Sequence, residues 1–518
     1  MSRELMLGNE AIARGAWEAG CHVAAAYPGT PSTEILETIA RDYRDIKAQW
    51  SPNEKVAFEV VAGASVAGAR SLAAMKHVGL NVAADPLFTF SYTGVNGGMV
   101  IINADDPGAW SSQNEQDNRH MARAAKIPML EPSGPAEAKE FTKLAFELSE
   151  KYDRPVMVRI TTRIAHSQEP VEIGERVEVP LKDFVRNPKK YVMIPAHARL
   201  RHVFVEEQIL KLKEYSTTSG LNRIEWRNKK RGIITNGVAY QYVREVCPDD
   251  SVLKIGMVWP LPDEMIKEFA SQVEELYVVE ELDSFIEDYV KSLGFKVKGK
   301  EVVPGCGELT PEIVDKALNG KDPEKALPEY AGALPGRPPG LCKGCPHAFV
   351  FNVLKKLDVV VNGDIGCYTL GVLPPYSSMH SQGCMGASIG MHLGFEKARG
   401  DEMSRNSVAV IGDSTFIHSG ITPLIDMVYN KGTGTVIIMD NRVTAMTGHQ
   451  ENPATGKTLM GEETYELDLE MMVKACGVKR TVVIDPKNIE ELEKVLKEEI
   501  AAPEPSVIIT KRKCILKK

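Results

Sequence analysis

Three groups of residues in this sequence have the types and spacing to do chemistry. The first is Gly412-Asp413-Ser414, followed 25 residues later by Asp440-Asn441. Each group ends an apolar run, SVAVIGD (407–413) and GTVIIMDN (434–441), with a helical pattern near 420–431 between them. If the two runs are neighbouring parallel strands, Asp413 and Asn441 emerge together at the carboxyl edge, where open α/β sheets bind ligands. A carboxylate, an amide oxygen and a carbonyl of the Asn-Arg-Val turn, with Val443 the candidate, are the hard oxygen donors that Mg²⁺ takes alongside a diphosphate and water. Gly412 would let the backbone approach closely, and Ser414 offers a hydroxyl to a phosphate. Read without that context, Asp413 and Asn441 are turn residues after buried strands.

The second group is the cysteines. CKGCPH (342–347) carries Cys342 and Cys345; Cys367 lies in NGDIGCYTLG, Cys384 in SQGCMGAS, and Cys514 just past the apolar run PSVIITKRK. Half a zinc site, a redox pair and part of an iron–sulfur site all fit the Cys-x-x-Cys pair, whereas Pro346 rules out a haem attachment motif. Cys21, Cys247, Cys306 and Cys476 read as ordinary thiols. The third group is SPNEKVAFEVVAGAS (51–65), with Glu54 and Glu59, and YPGTPSTE (27–34), with Thr30 in a tight turn before a capped helix. GKT at 456–458 is no P-loop, because position 451 is Glu and no strand leads into it.

The elements that must hold these residues alternate between strand and helix. Apolar runs at 21–29, 79–86, 97–108 and 154–162 read as strands, with helices such as 54–76 between them. That pattern predicts an α/β fold with mostly parallel sheets. Three α/β units are expected, at 1–185, 231–326 and 342–518. A solvated, charged connector of helical pattern (186–230) and a Pro/Gly-rich linker (327–341) separate them. The composition, 43% hydrophobic and 25% charged, is that of a globular protein. A net charge of −8 disfavours nucleic acid and anionic membrane as main partners. No apolar run is long enough to span a bilayer, no secretory signal is visible, and nine cysteines form no disulfide framework. A cytoplasmic location is expected.

The G-D-S…D-N pair resembles the G-D-G…N-N signature of thiamine diphosphate enzymes. Its flank TAMTGHQ (444–450), containing Thr447, resembles the 2-oxoacid:ferredoxin oxidoreductases in particular. YPGTPS and SPNEKVAFEVVAGAS resemble that family's pyrimidine-side segments, and SSQNEQDNRH (111–120) is similar to its indolepyruvate branch. The order of elements along the whole chain resembles that branch's large subunit.

The resemblance implies α/β units of the thiamine diphosphate-binding and transketolase C-terminal types. It implies that Gly412, Asp413, Ser414, Asn441, Val443 and Thr447 bind thiamine diphosphate, with Asp413, Asn441 and Val443 holding Mg²⁺. Glu54, nine residues before GAS, would hydrogen-bond the aminopyrimidine, with Glu59 its competitor. Thr30 would meet the substrate, while the basic residue that other members use for the carboxylate has no match. Cys342, Cys345, Cys367 and Cys514 would bind a [4Fe–4S] cluster, with Cys384 in reserve and zinc the alternative.

The reaction implied is oxidative decarboxylation of an arylpyruvate, indolepyruvate first, with CoA. Electrons would pass to ferredoxin in a hetero-oligomer (α2β2) with a smaller β subunit. A non-oxidative thiamine diphosphate decarboxylase, another 2-oxoacid:ferredoxin oxidoreductase subunit and a silent scaffold subunit are the rivals. The family's large subunit usually continues into a ferredoxin-like extension, so the electron relay is expected to need a segment beyond CILKK or another subunit.

Overall fold

The computed structural model describes residues 2–322 and 339–517, so most of the 327–341 linker lies outside the described residues. The chain forms two compact units, residues 1–330 and 331–518.

The first unit is built on a seven-stranded sheet. Its order is Met257–Trp259, Met129–Leu130, Val156–Thr161, Met99–Asp105, Ser71–Lys76, Val23–Ala26 and Lys47–Trp50. Every pairing is parallel except that of Met257–Trp259. The central strands are buried on both faces, which is why they read as unbroken apolar runs rather than as alternation. A four-stranded sheet follows in the same unit, in the order Glu275–Val279, Asn228–Asn236, Asp250–Ile255 and Arg223–Glu225. Met257–Trp259 comes from the stretch that forms this second sheet, yet it pairs with the first.

Three local expectations were wrong. The helix expected over 54–76 ends at Val66, and Ser71–Lys76 is a strand. Gly68 breaks the helix: its φ is +100°, and a Cβ there would meet the Lys182 carbonyl oxygen at 1.9 Å. The run 79–86, expected as a strand, lies in the helices His77–Val82 and Ala84–Thr93. Ala and Leu favour helix as readily as they fill a buried strand, so composition does not separate the two. Within the connector, Pro195–Thr218 is a helix that buries Val205, Gln208, Leu212 and Ser216 along one stripe. Past it, Arg223–Glu225 and the start of Asn228–Asn236 are extended rather than helical.

A buried ion network ties the two sheets of this unit. The Arg119 guanidinium is fully buried; it pairs with Asp117 and with Glu280 at 2.6 Å, and donates to the carbonyls of Glu281 (2.9 Å) and Asp283 (3.2 Å). Removing one partner strands the carboxylates away from water. Arg119→Ala should therefore cost about 3–5 kcal/mol, measured by denaturant unfolding. A loss below about 1 kcal/mol would show that the network contributes little.

The second unit is a six-stranded, wholly parallel sheet. Its order is Ser381–Gln382, Val360–Gly363, Ser407–Gly412, Thr435–Asp440, Ser506–Lys511 and Arg480–Ile484. Helices flank it, and the three central strands are largely buried. Among the described residues, no helix is long and apolar enough to cross a membrane.

Candidate functional site

In the second unit, Val360–Gly363, Ser407–Gly412 and Thr435–Asp440 are consecutive parallel neighbours, so Asp364, Asp413 and Asn441 all leave the sheet at its carboxyl edge. The chain turns helical at Asp413 and stays so to Tyr429, through a π-helical turn at Phe416–Gly420. Gly412 is required: a Cβ there would lie 2.7 Å from the Tyr368 ring.

Asp413 is 3% exposed and forms no ion pair among the described residues. Asn452 donates to it through Nδ2 at 3.3 Å. Burial, and next the nearby Asp440 carboxylate, push its carboxyl well above the usual range. A carboxylate buried in this way is costly until a cation meets it, and a carboxylate oxygen is a ligand of the type that Mg²⁺ takes. Asn441 Oδ1 accepts from the Val443 amide at 3.2 Å, folding residues 441–443 into a tight turn with Arg442 at a φ of +59°. Ser414 accepts from the Thr444 hydroxyl at 2.9 Å, which ties the segment after Asn441 to the start of the helical run at Asp413. Thr447 is engaged within its own loop, where its hydroxyl donates to Gln450.

The cysteines approach the same turn from two directions. Cys345 caps the helix Pro346–Leu357, with its amide donating to the Cys342 carbonyl at 3.0 Å. Two residues on, His347 is buried and its imidazole is pulled down to about 4 by desolvation, so it is neutral. Its Nε2 accepts from Asn441 Nδ2 at 3.2 Å. From the far end of the sequence, the Cys514 amide donates to the Asn441 carbonyl at 2.9 Å. Cys367 opens the 3₁₀ turn Cys367–Val372. Burial pushes its thiol up to about 11, with Cys345, Cys514 and Cys342 each adding to the rise. The four cysteines are thus within electrostatic reach of one another. Cys384 is exposed.

In the first unit, Glu54 begins the helix Glu54–Val66, whose cap is Asn53 Oδ1 accepting from the Val56 amide at 2.9 Å. Glu54 is 5% exposed, and its carboxyl fills the space that a Cβ on Gly79 would need. Glu59 sits near the solvent, 45% exposed and paired with Lys55. Thr30 lies in the turn between Val23–Ala26 and the helix Thr33–Asp42; Ser32 returns its hydroxyl to the Gly29 carbonyl at 3.0 Å instead of capping that helix.

The comparisons fit this geometry. Residues 14–230 match the family model "Pyruvate flavodoxin/ferredoxin oxidoreductase, thiamine diP-bdg". Residues 364–510 match "Thiamine pyrophosphate enzyme, C-terminal TPP binding domain". The chain is 42% identical to the indolepyruvate oxidoreductase subunit IorA of Archaeoglobus fulgidus, across 99% of this chain and 86% of that one. It is 40% identical to the IorA of Pyrococcus horikoshii over the same shares.

The chain belongs to the 2-oxoacid:ferredoxin oxidoreductase family, among its IorA-type subunits.

It is a thiamine diphosphate-dependent family enzyme, and the α/β fold expected from sequence is the family's. A solved 2-oxoglutarate:ferredoxin oxidoreductase from Magnetococcus marinus shares the fold, with a TM-score of 0.52 and 18% identity, covering 62% of this chain and 65% of that one.

Several residues at this edge escaped the sequence reading. Asp364 is buried and accepts amides of Ile365 (2.8 Å), Gly386 (2.7 Å) and Ser388 (3.0 Å), fixing the loop after Ser381–Gln382. Asn452 on Asp413 and His347 on Asn441 carry no motif of their own. Their sequence signal is only their closeness to TAMTGHQ and CKGC. In the first unit, Lys76 was hidden because its strand read as helix.

Proposed function

We propose that this chain is the thiamine-bearing subunit of an enzyme that oxidatively decarboxylates arylpyruvates, indolepyruvate first, to an aryl-acetyl-CoA and CO₂. Ferredoxin takes the electrons, and a smaller β subunit completes a hetero-oligomer (α2β2). The chain comprises a pyrimidine-binding unit (1–185), a connector (186–230), a transketolase-C-like unit (231–326), a linker (327–341) and a diphosphate-binding unit (342–518).

When bound, thiamine diphosphate supplies the carbanion chemistry that decarboxylation of a 2-oxoacid requires. Asp413, Asn441 and the Val443 carbonyl hold Mg²⁺, Gly412 and Ser414 admit the diphosphate, and Thr447 braces the loop beside it. Glu54 holds a proton relationship with the aminopyrimidine nitrogen, and Thr30 faces the substrate. Cys342, Cys345, Cys367 and Cys514 hold a [4Fe–4S] cluster.

What supports the oxidative reading is the mutual electrostatic influence of Cys367 with Cys345, Cys514 and Cys342, together with the Cys514 amide on the Asn441 carbonyl, since a non-oxidative decarboxylase has no use for an electron acceptor there.

Anaerobic reconstitution should give about four irons per chain with matching sulfide. Cys367→Ser should lower that content and abolish reduction of an external acceptor, with thiamine diphosphate affinity kept. A panel of indolepyruvate, phenylpyruvate, pyruvate and 2-oxoglutarate tests the substrate. Stoichiometric zinc without iron, or turnover undiminished in Cys367→Ser, would overturn the oxidative reading.

A further inference from the structure

The family's substrates are anions, yet the sequence offers no obvious cation to receive them. The strand Ser71–Lys76 pairs with Val23–Ala26 on one side and with Met99–Asp105 on the other, and Lys76 is level with Ala104 at the carboxyl edge. Its side chain runs over the Gly29-Thr30 turn: a Cβ on Gly29 would meet Lys76 Cγ and Cδ at 3.3 Å. Three residues further on, Gly79 packs against the Glu54 carboxyl. Lys76 therefore stands between the turn bearing Thr30 and the glutamate assigned to the cofactor.

Its ammonium donates one hydrogen bond, to the Ser111 carbonyl at 2.9 Å, and makes no ion pair among the described residues. Lysine has three donors, so two remain. The nearest carboxylate competitor, Asp106, is committed elsewhere. It accepts from the Ser111 amide (2.9 Å), the Ser112 hydroxyl (2.7 Å) and the Thr162 hydroxyl (2.7 Å). Burial pulls the Lys76 ammonium below its usual range, and Asp106 and then Glu54 partly offset that by favouring its charged form. The other cations at this edge are taken. Arg163 is bound two-pronged to Glu308 at 2.7 and 2.8 Å, and Arg159 pairs with Asp105 and Glu131. His77 is held towards its neutral form by burial.

We infer that Lys76 recognises the carboxylate of the 2-oxoacid, with its remaining donors aimed at the space beside Thr30 and Glu54. The inference rests on the 2-oxoacid reading above and supplies the basic residue that the sequence motifs lack. The role is binding and orientation. No bond is made or broken at Lys76.

The test uses the full chain reconstituted with thiamine diphosphate and Mg²⁺, comparing wild type, Lys76→Met and Lys76→Arg. Phenylpyruvate binding is titrated calorimetrically, alongside its uncharged methyl ester. A charge-assisted hydrogen bond of this kind corresponds to roughly 10–100-fold in affinity. Wild type should prefer the acid over the ester by that factor. Lys76→Met should lose the preference with cofactor affinity unchanged, and Lys76→Arg should keep most of it. In turnover, the loss should fall on KM more than on kcat. An acid-to-ester ratio unchanged in Lys76→Met would overturn the inference, as would equal loss of cofactor binding in both variants, which would assign Lys76 to the cofactor. Wild type that binds and turns over no 2-oxoacid would instead overturn the functional reading beneath it.

Discussion

Asp413→Ala should abolish Mg²⁺-dependent binding of thiamine diphosphate, with affinity falling more than about 100-fold. Loss of an outer-shell partner alone typically costs 10–100-fold, and under the proposed function Asp413 would be a direct ligand of the ion. The prediction has a second half that a merely structural aspartate would not satisfy. Asp413 is buried without an ion pair among the described residues, and burial and the nearby Asp440 favour its protonated form. In the absence of cofactor, such a group costs the fold more than it contributes. The cofactor-free variant should therefore melt no lower than cofactor-free wild type, and Asp413→Asn, which leaves no cavity, should behave alike.

Only the response to ligand should differ. At one hundred times its dissociation constant, a ligand stabilises by about 2.7 kcal/mol, and wild type should show a rise of that size with thiamine diphosphate and Mg²⁺. Neither variant should show it. A full ligand-induced shift in Asp413→Ala, or calorimetry giving unchanged cofactor affinity, would sink the assignment.

What could be read from sequence depended on how local each signal was. Asp413 and Asn441 were legible because each follows an apolar run long enough to be a strand, and a parallel pairing of the two runs puts both at one edge. Cys342 and Cys345 announced themselves by spacing alone. Cys514 is more than 140 residues from Cys367 in sequence, and only the family resemblance linked them. In the fold, the strand Ser506–Lys511 pairs directly with Thr435–Asp440, which brings Cys514 to the Asn441 carbonyl.

Lys76 failed for a different reason. SLAAMK is an Ala- and Leu-rich run buried on both faces, so it has no period to betray a strand, and a helix reading absorbed it. The deciding feature is the positive φ of Gly68 against the Lys182 carbonyl, a contact between segments far apart in the chain. His347 and Asn452 were missed because a side chain that steadies another residue's amide or carboxylate leaves no spacing rule behind. Sequence thus exposed the residues at strand ends and missed those that position them.

The other large effect concerns the choice between two glutamates five residues apart. Glu54→Gln should slow turnover by about 10²–10⁴-fold, the usual range for a positioned acid–base group, while thiamine diphosphate affinity stays within about threefold. The structure separates the two candidates sharply. Glu54 is buried at the first position of its helix and is pressed against Gly79. Glu59 lies a little over one turn further along, half in solvent and paired with Lys55, where a neutral amide should change stability by less than about 1 kcal/mol and activity hardly at all.

Glutamine keeps the shape of Glu54 and removes its charge, so binding and chemistry can be read apart. Calorimetry gives the cofactor affinity, and deuterium exchange at the thiazolium C2 of the bound cofactor gives the proton-transfer step without any substrate. Glu54→Gln should show normal affinity with exchange slowed in parallel with kcat, and Glu59→Gln should match wild type in both. The reverse pattern would move the role to Glu59. Slow turnover in Glu54→Gln with exchange at the wild-type rate would show that Glu54 serves a later step than activation of the cofactor.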